Sequence, residues 1–130
     1  LGFTHYAGRS RKGNFVLGHR TSRKKFRKAC RELLTWLKQV RSQKPLREIW
    51  AQLAAKLRGH YSYYGVSGNY RMVRNFGYVV IRAVQKWLNR RSQRRDFTWK
   101  RLNDYLKHYP LPRPRIVYRM YPLLPLWETD

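Results

Sequence analysis

The stretch TSRKKFRKACRELLTWLKQV, residues 21–40, decides how this chain folds. Phe26, Ala29, Cys30, Leu33, Leu37 and Val40 recur at helical spacing and form one apolar stripe. Cys30 sits on that stripe, which makes it a core residue rather than a reactive thiol. Thr21 or Ser22 can cap the helix start. The other faces are basic. Arg23, Lys24 and Lys25 fill the first turn, where the helix dipole disfavours cations. A local rule broken without visible compensation points to function, and a helix N-terminus with added cations suits a phosphate.

Two further stripes follow. A second helix opens at Pro45, with Leu46, Ile49, Trp50, Leu53, Leu57, Tyr61 and Tyr64 on its apolar face, and Gly65 and Gly68 end it. A third helix, capped by Asn69, carries Val73, Phe76, Val80, Val84, Trp87 and Leu88. Within it Tyr78 to Ile81 has strand propensity, but the longer 3.6-residue pattern favours helix. Three helices with one apolar face each are the minimum that bury those faces together. The expected organisation is mainly α: a β-hairpin over 1–20, a three-helix bundle over 21–91, and a short basic helical and extended appendage over 92–130.

The hairpin expectation rests on Leu1 to Tyr6 and Asn14 to Leu17, which flank a basic, glycine-containing loop. Its plain reading is a solvated tip. A tip with Arg9, Arg11 and Lys12 and no anion is better suited to meet phosphate. In the appendage, Asn89 to Arg95 is a basic link, and a short helix begins near Asp96 or Thr98 with Trp99, Leu102, Leu106 and Tyr109 on one face. Pro110, Pro112 and Pro114 then impose an extended run. Tyr118 to Trp127 receives no assignment.

Thirty Lys and Arg face six Asp and Glu, a net charge of +24, and the first carboxylate is Glu32. Self-repulsion on this scale destabilises a compact chain and calls for a polyanionic partner. Apolar residues at 42% argue against disorder. Aromatics at 15% fill cores but also stack on unpaired bases. One Cys excludes an internal disulfide and a Cys-rich zinc site, and suits a reducing, cytoplasmic setting. No run reaches the length of a membrane span. His5, His19, His60 and His108 have no metal-ligand spacing. Glu32 and Glu48 are read as partners for nearby cations. No Walker-type glycine loop and no adjacent Asp pair occur. No catalytic residue, metal ligand or cofactor is therefore expected. The start at Leu1 reads as a piece of something longer.

The sharpest constellation is Lys56-Leu57-Arg58-Gly59-His60-Tyr61-Ser62-Tyr63-Tyr64-Gly65. A helix places Leu57, Tyr61 and Tyr64 near one face and leaves Lys56, Arg58, His60 and Tyr63 elsewhere on the cylinder. Tyr61 and Tyr64 read as core aromatics; Arg58 and Tyr63 read as ligand contacts. Gly59, costly in a helix, suggests close approach of another backbone.

Here the chain resembles the C-terminal region of bacterial group II intron-encoded reverse transcriptase/maturases. Leu1-Gly2-Phe3 looks like the end of their polymerase palm. Thr21 to Phe26 looks like the start of the thumb, called domain X. Arg58-Gly59-His60-Tyr61-Ser62-Tyr63-Tyr64 matches the signature Arg-Gly-x-x-x-Tyr-Tyr, with His60 where the family usually has Trp. Trp87 to Ser92, Phe97-Thr98-Trp99 and Pro110 to Ile116 look like the family's tail. The resemblance covers nearly the whole chain with its motifs in order.

It implies a palm-end hairpin, a three-helix thumb, binding of intron RNA to promote splicing, and template–primer contact in the full-length protein. It also implies a DNA-binding region after the thumb, within 92–120. The family's Tyr-x-Asp-Asp motif is not in these residues, so polymerase activity is not carried over. The magnesium it needs belongs with that palm, and the zinc-bearing endonuclease of some members is likewise not in these residues. Expected partners are group II intron RNA, target DNA and the palm of the same protein, with no membrane. The expected location is the bacterial cytoplasm, in nucleoid or ribonucleoprotein. The candidate RNA contacts are Arg9, Arg11, Lys12, Arg20, Arg23, Lys24, Lys25, Arg27, Lys28, Arg31, Lys56, Arg58 and Tyr63. The candidate DNA contacts are Arg90, Arg91, Arg94, Arg95, Lys100, Arg101, Arg113 and Arg115. Three other readings compete: a subunit or fragment of an RNA-directed DNA polymerase that needs its palm, a stand-alone basic protein of the ribosomal type, and a cationic membrane binder. The ordered motifs disfavour the second. Pro45 and the glycine breaks disfavour the third.

Overall fold

A computed structural model describes residues 3–9, 15–66, 68–90 and 97–117. The fold is mainly helical. Strands β1 (Phe3–Arg9) and β2 (Phe15–Thr21) pair antiparallel, with Phe3 opposite Thr21. They precede α1 (Arg23–Val40), α2 (Leu46–Tyr64), α3 (Tyr70–Asn89) and α4 (Trp99–His108). The loop residues Arg11 and Lys12, the link residues Arg91, Arg94 and Arg95, and the tail from Tyr118 lie outside the described residues.

The three stripes meet in one core. Leu33, Leu37 and Val40 of α1 join Ile49, Trp50, Leu53, Leu57 and Tyr61 of α2 and Val73, Phe76, Val80, Val84 and Leu88 of α3. Each side chain of Leu or Phe size fully buried this way contributes about 1.5–3 kcal/mol. Burial pushes the Tyr61 hydroxyl up to about 12. Cys30 is half-buried against this core. Residues 78–81 are helical, within α3, because Val80 and Val84 lie on the stripe that faces α1 and α2.

Caps set the boundaries. The Lys25 amide donates to Ser22 Oγ at 3.3 Å and the Arg101 amide to Thr98 Oγ1 at 3.3 Å, so Ser22 and Thr98 open α1 and α4. Thr21 is the last residue of β2 instead. Pro45 precedes α2 rather than belonging to it. Asn69 occupies the cap position of α3 but makes no side-chain cap bond. Its fully buried amide is used elsewhere: Oδ1 accepts from the Thr21 amide at 2.6 Å, and Nδ2 donates to Thr21 Oγ1 at 2.9 Å and to the Tyr64 carbonyl at 2.7 Å. One side chain thus ties the end of β2 to the α2–α3 turn, where Gly68 takes a positive φ of 88°.

Residues 97–117 lie on the bundle. Phe97, Leu102 and Leu111 are buried in the same core. Gln85 Nε2 donates to the Phe97 carbonyl at 3.1 Å, and Trp50 Nε1 donates to the Tyr109 carbonyl at 2.7 Å. The extended run that follows, a strap, crosses the C-terminal end of α2 at Gly65 and the first half of α3 at Gly77. The Val117 amide donates to the Gly65 carbonyl at 2.7 Å. A Cβ on Gly65 would lie 2.6 Å from the Arg115 carbonyl oxygen, and one on Gly77 would lie 3.1 Å from Pro114 Cγ. Gly59, the glycine expected to admit a neighbouring backbone, instead faces open space. It lies on the outer side of α2, whereas the strap crosses at Gly65 and Gly77.

His60 also differs from its expected outward position. It is partly buried, its ring stacked on Phe76 at 3.7 Å between centroids and 9° between planes. Its Nε2 is buried with no hydrogen-bond partner among the described residues. Burial disfavours the imidazolium and lowers its pKa to about 4.

Two outcomes follow from this packing. Replacing Gly65 by Ala forces two backbones apart and should destabilise the fold by about 1–3 kcal/mol, seen as a lower denaturant midpoint with earlier tryptic cleavage after Arg115. The second concerns pH. Above the ordinary His value of 6.5 both folded and unfolded states leave His60 neutral; between 6.5 and about 4 only the unfolded chain takes the proton. Stability therefore falls as pH drops through that window. A His60→Phe chain should lose this part of the slope in unfolding experiments from pH 7.5 to 5; an identical slope would contradict the burial.

Candidate nucleic-acid interface

A groove of about 500 Å3 runs between α1 and α3. Its floor is Phe26, Cys30, Leu34 and Val79, and its rim is Arg27, Arg31 and Lys38. The rim follows from helix geometry. Residues 24, 27, 28, 31 and 38 share the outward side of α1 because they recur at three, four and seven, and Lys24 to Lys38 spans about 21 Å at 1.5 Å per residue. Burial raises the Cys30 thiol pKa, so the groove floor is a poor nucleophile.

At its end the groove meets a cluster of cations around one indole. Lys38 Nζ and Arg41 Cζ from the α1 end each lie 4.8 Å from the Trp87 ring centroid, and Lys86 Nζ and Arg90 Cζ from the α3 end lie 5.0 and 5.3 Å from it. Both helices end here, and helix C-termini favour positive charge. The indole face attracts cations without neutralising them. Lys38 belongs to both the rim and this cluster, so the positive surface is continuous from Arg27 to Arg90. Helix α3 contains no carboxylate and α1 only Glu32, which lies 4.0 Å from Lys28 in an exposed ion pair. Such a pair is worth about 0–1 kcal/mol and leaves the groove cationic.

The sequence candidates divide on this geometry. Arg27 and Arg31 form the rim. Arg23, Lys24, Lys25 and Lys28 are exposed on the same helix. Arg90, read from sequence among the DNA contacts, joins α1 cations at Trp87. Lys56 lies over the Trp36 ring at 4.9 Å, and Arg58 is exposed on α2. Tyr63 stacks on Phe3 at 6.0 Å, meets Tyr64 edge-on at 4.6 Å and remains 54% exposed. Lys100 and Arg101 are exposed on α4, and Arg113 and Arg115 on the extended strap. Arg9 and Arg20 fall on β1 and β2, their side chains outside the description. Lys38, Arg41, Lys86 and Trp87 were not singled out as contacts from the sequence. The only linear sign of them is the cation-Trp-x-x-cation spacing of 86–90, and Lys38 and Arg41 reach it only through the pairing of α1 with α3.

Among the described residues no three His, Cys, Asp or Glu side chains gather as a metal site, and no helix is long and apolar enough to cross a membrane. What the arrangement offers chemically is a row of cations suited to phosphate along a rim, over a partly exposed apolar floor. No protein-family model, curated protein or solved structure matches the chain.

Proposed function

We propose that this chain is an RNA-binding module of the thumb/maturase type, in which the α1–α3 groove seats the phosphate backbone of a folded intron RNA. The observation that carries the reading is the continuous rim Arg27–Arg31–Lys38 leading to the Trp87 cluster, on two helices with a single carboxylate between them. Phosphate contacts of this kind supply affinity and orientation but little sequence information. Specificity comes from the shape of the RNA and from its exposed bases.

The ordered resemblance to domain X supplies the substrate class. In that reading β1 and β2 are the end of a palm, and the RNA groove belongs to the first and third helices of the thumb. Lys100, Arg101, Arg113 and Arg115 are then the described candidates for contact with target DNA. Catalysis belongs to the palm of the parent polymerase, and this chain contributes grip.

Equilibrium binding to a folded group II intron RNA, with excess unstructured RNA as competitor, tests the proposal. Six to ten phosphate contacts predict a loss of about 10³–10⁵ in affinity between roughly 50 and 200 mM salt. Replacing Arg27, Arg31 and Lys38 together by Gln should lower the salt slope by about two to three while leaving the circular dichroism spectrum intact. An unchanged slope removes the groove from the account. If the unstructured competitor displaces the intron equally well, shape recognition lies outside this chain.

A further inference from the structure

A second cavity lies on the other side of α3, and the groove does not use it. It measures about 390 Å3, within the range of small-molecule sites, and is an open-mouthed pocket bounded by α2, α3, Leu106 of α4 and the strap 110–114. Tyr70, Arg74 and Tyr78 line it from successive turns of α3, four residues apart, with Leu57 at the back and Pro112 and Arg113 opposite. Tyr70 and Tyr78 are large aromatics left 47% and 61% exposed. The Arg74 guanidinium lies 5.8 Å from the Tyr78 ring centroid, and its Nε is buried without a hydrogen-bond partner among the described residues.

We propose that this cavity receives one unpaired nucleobase of the bound RNA, a guanine best of all; this rests on the RNA-binding reading above. Three features select that occupant. A buried N–H without a partner costs free energy until an acceptor arrives, so a purely apolar guest leaves the site unsatisfied. The polar side chains lining the cavity are Arg74, Arg113, Tyr61, Tyr70 and Tyr78, with no carboxylate on α3, which suits a nucleotide with its anionic phosphate. A flat ring can lie on Tyr78 or Tyr70, and base–aromatic stacking contributes independently of sequence. Guanine adds two neighbouring acceptors, O6 and N7, which suit a guanidinium edge. Arg113, exposed at the rim, is placed for the nucleotide's phosphate. The strap that forms one wall owes its position to Gly77, whose missing Cβ admits Pro114.

Calorimetric titration of the full chain with GMP, and in parallel with ribose 5-phosphate, separates base recognition from general attraction of anions to a basic protein. The expected result is saturable binding of GMP at least tenfold tighter than ribose 5-phosphate at the same salt. Arg74→Gln and Tyr78→Ala should each reduce GMP to the level of ribose 5-phosphate, and Tyr78→Phe should retain the preference, all with unchanged circular dichroism. Equal affinity for the two ligands, or undiminished GMP binding by Arg74→Gln and Tyr78→Ala, overturns the pocket while salt-dependent RNA binding through the groove stands. Selective GMP binding by a chain that binds no RNA supports the pocket and overturns the groove's assigned partner instead.

Discussion

Twenty-four uncompensated positive charges on a chain of 130 residues repel one another in the folded state. Every other feature of the molecule is arranged around that repulsion. The apolar faces of the helices must converge on one core, because nothing else supplies enough opposing free energy. Most of the cations must stay in solvent, and on α1 the Lys and Arg residues occupy the outward sides. Carboxylates are too few to pair with them, and aromatic rings hold several of them instead. Trp87 accommodates Lys38, Arg41, Lys86 and Arg90, Trp36 accommodates Lys56, and Tyr78 accommodates Arg74. Each such contact is worth about 0.5–1 kcal/mol at an exposed site. Unlike a salt bridge it leaves the positive field in place. A ring therefore steadies the protein without competing with a polyanion for the cation.

The core is larger than three helices. Phe97, Leu102 and Leu111 extend it, and the Trp50 indole bond to the Tyr109 carbonyl fixes the turn from α4 into the strap. The strap in turn closes one side of the Tyr70–Tyr78 cavity. The same short segment thus adds buried apolar area and makes a concave surface out of a helix face. The two concave surfaces lie on different sides of α3, one rimmed by cations over an apolar floor and one lined by tyrosines around a partly buried arginine.

Much of the helical layout could be read from residue spacing. The stripes beginning at Phe26, Leu46 and Val73 are the stripes that pack, and Ser22 and Thr98 cap where hydroxyls precede helical runs. These are local signals, set within a few residues. What escaped depends on partners distant in sequence. Asn69 looks like a helix cap, but its amide serves Thr21, 48 residues away. Gly59 looks like a point of close approach, but Gly65 and Gly77 are the ones the strap crosses, a fact set by where residues 114–117 return. His60 falls off the apolar stripe by spacing, yet Phe76 from the next helix covers it. The site was legible to the same degree. The basic face of α1 was evident from Arg27 and Arg31, whereas the Trp87 cluster required knowing that the ends of α1 and α3 meet. Arg74, Tyr70 and Tyr78 carry no linear motif, and only the folded strap turns them into a cavity.

Lysine acylation of the chain, free and bound to a folded intron RNA, tests the central claim most directly, because it reads the contact surface without altering a residue. Lys38 and Lys86, at the shared end of the groove, should be protected together, while Lys107 near the end of α4 should react as it does in the free chain. Equal protection of Lys38, Lys86 and Lys107 would contradict the account and make the binding surface the whole charged exterior rather than the α1–α3 groove.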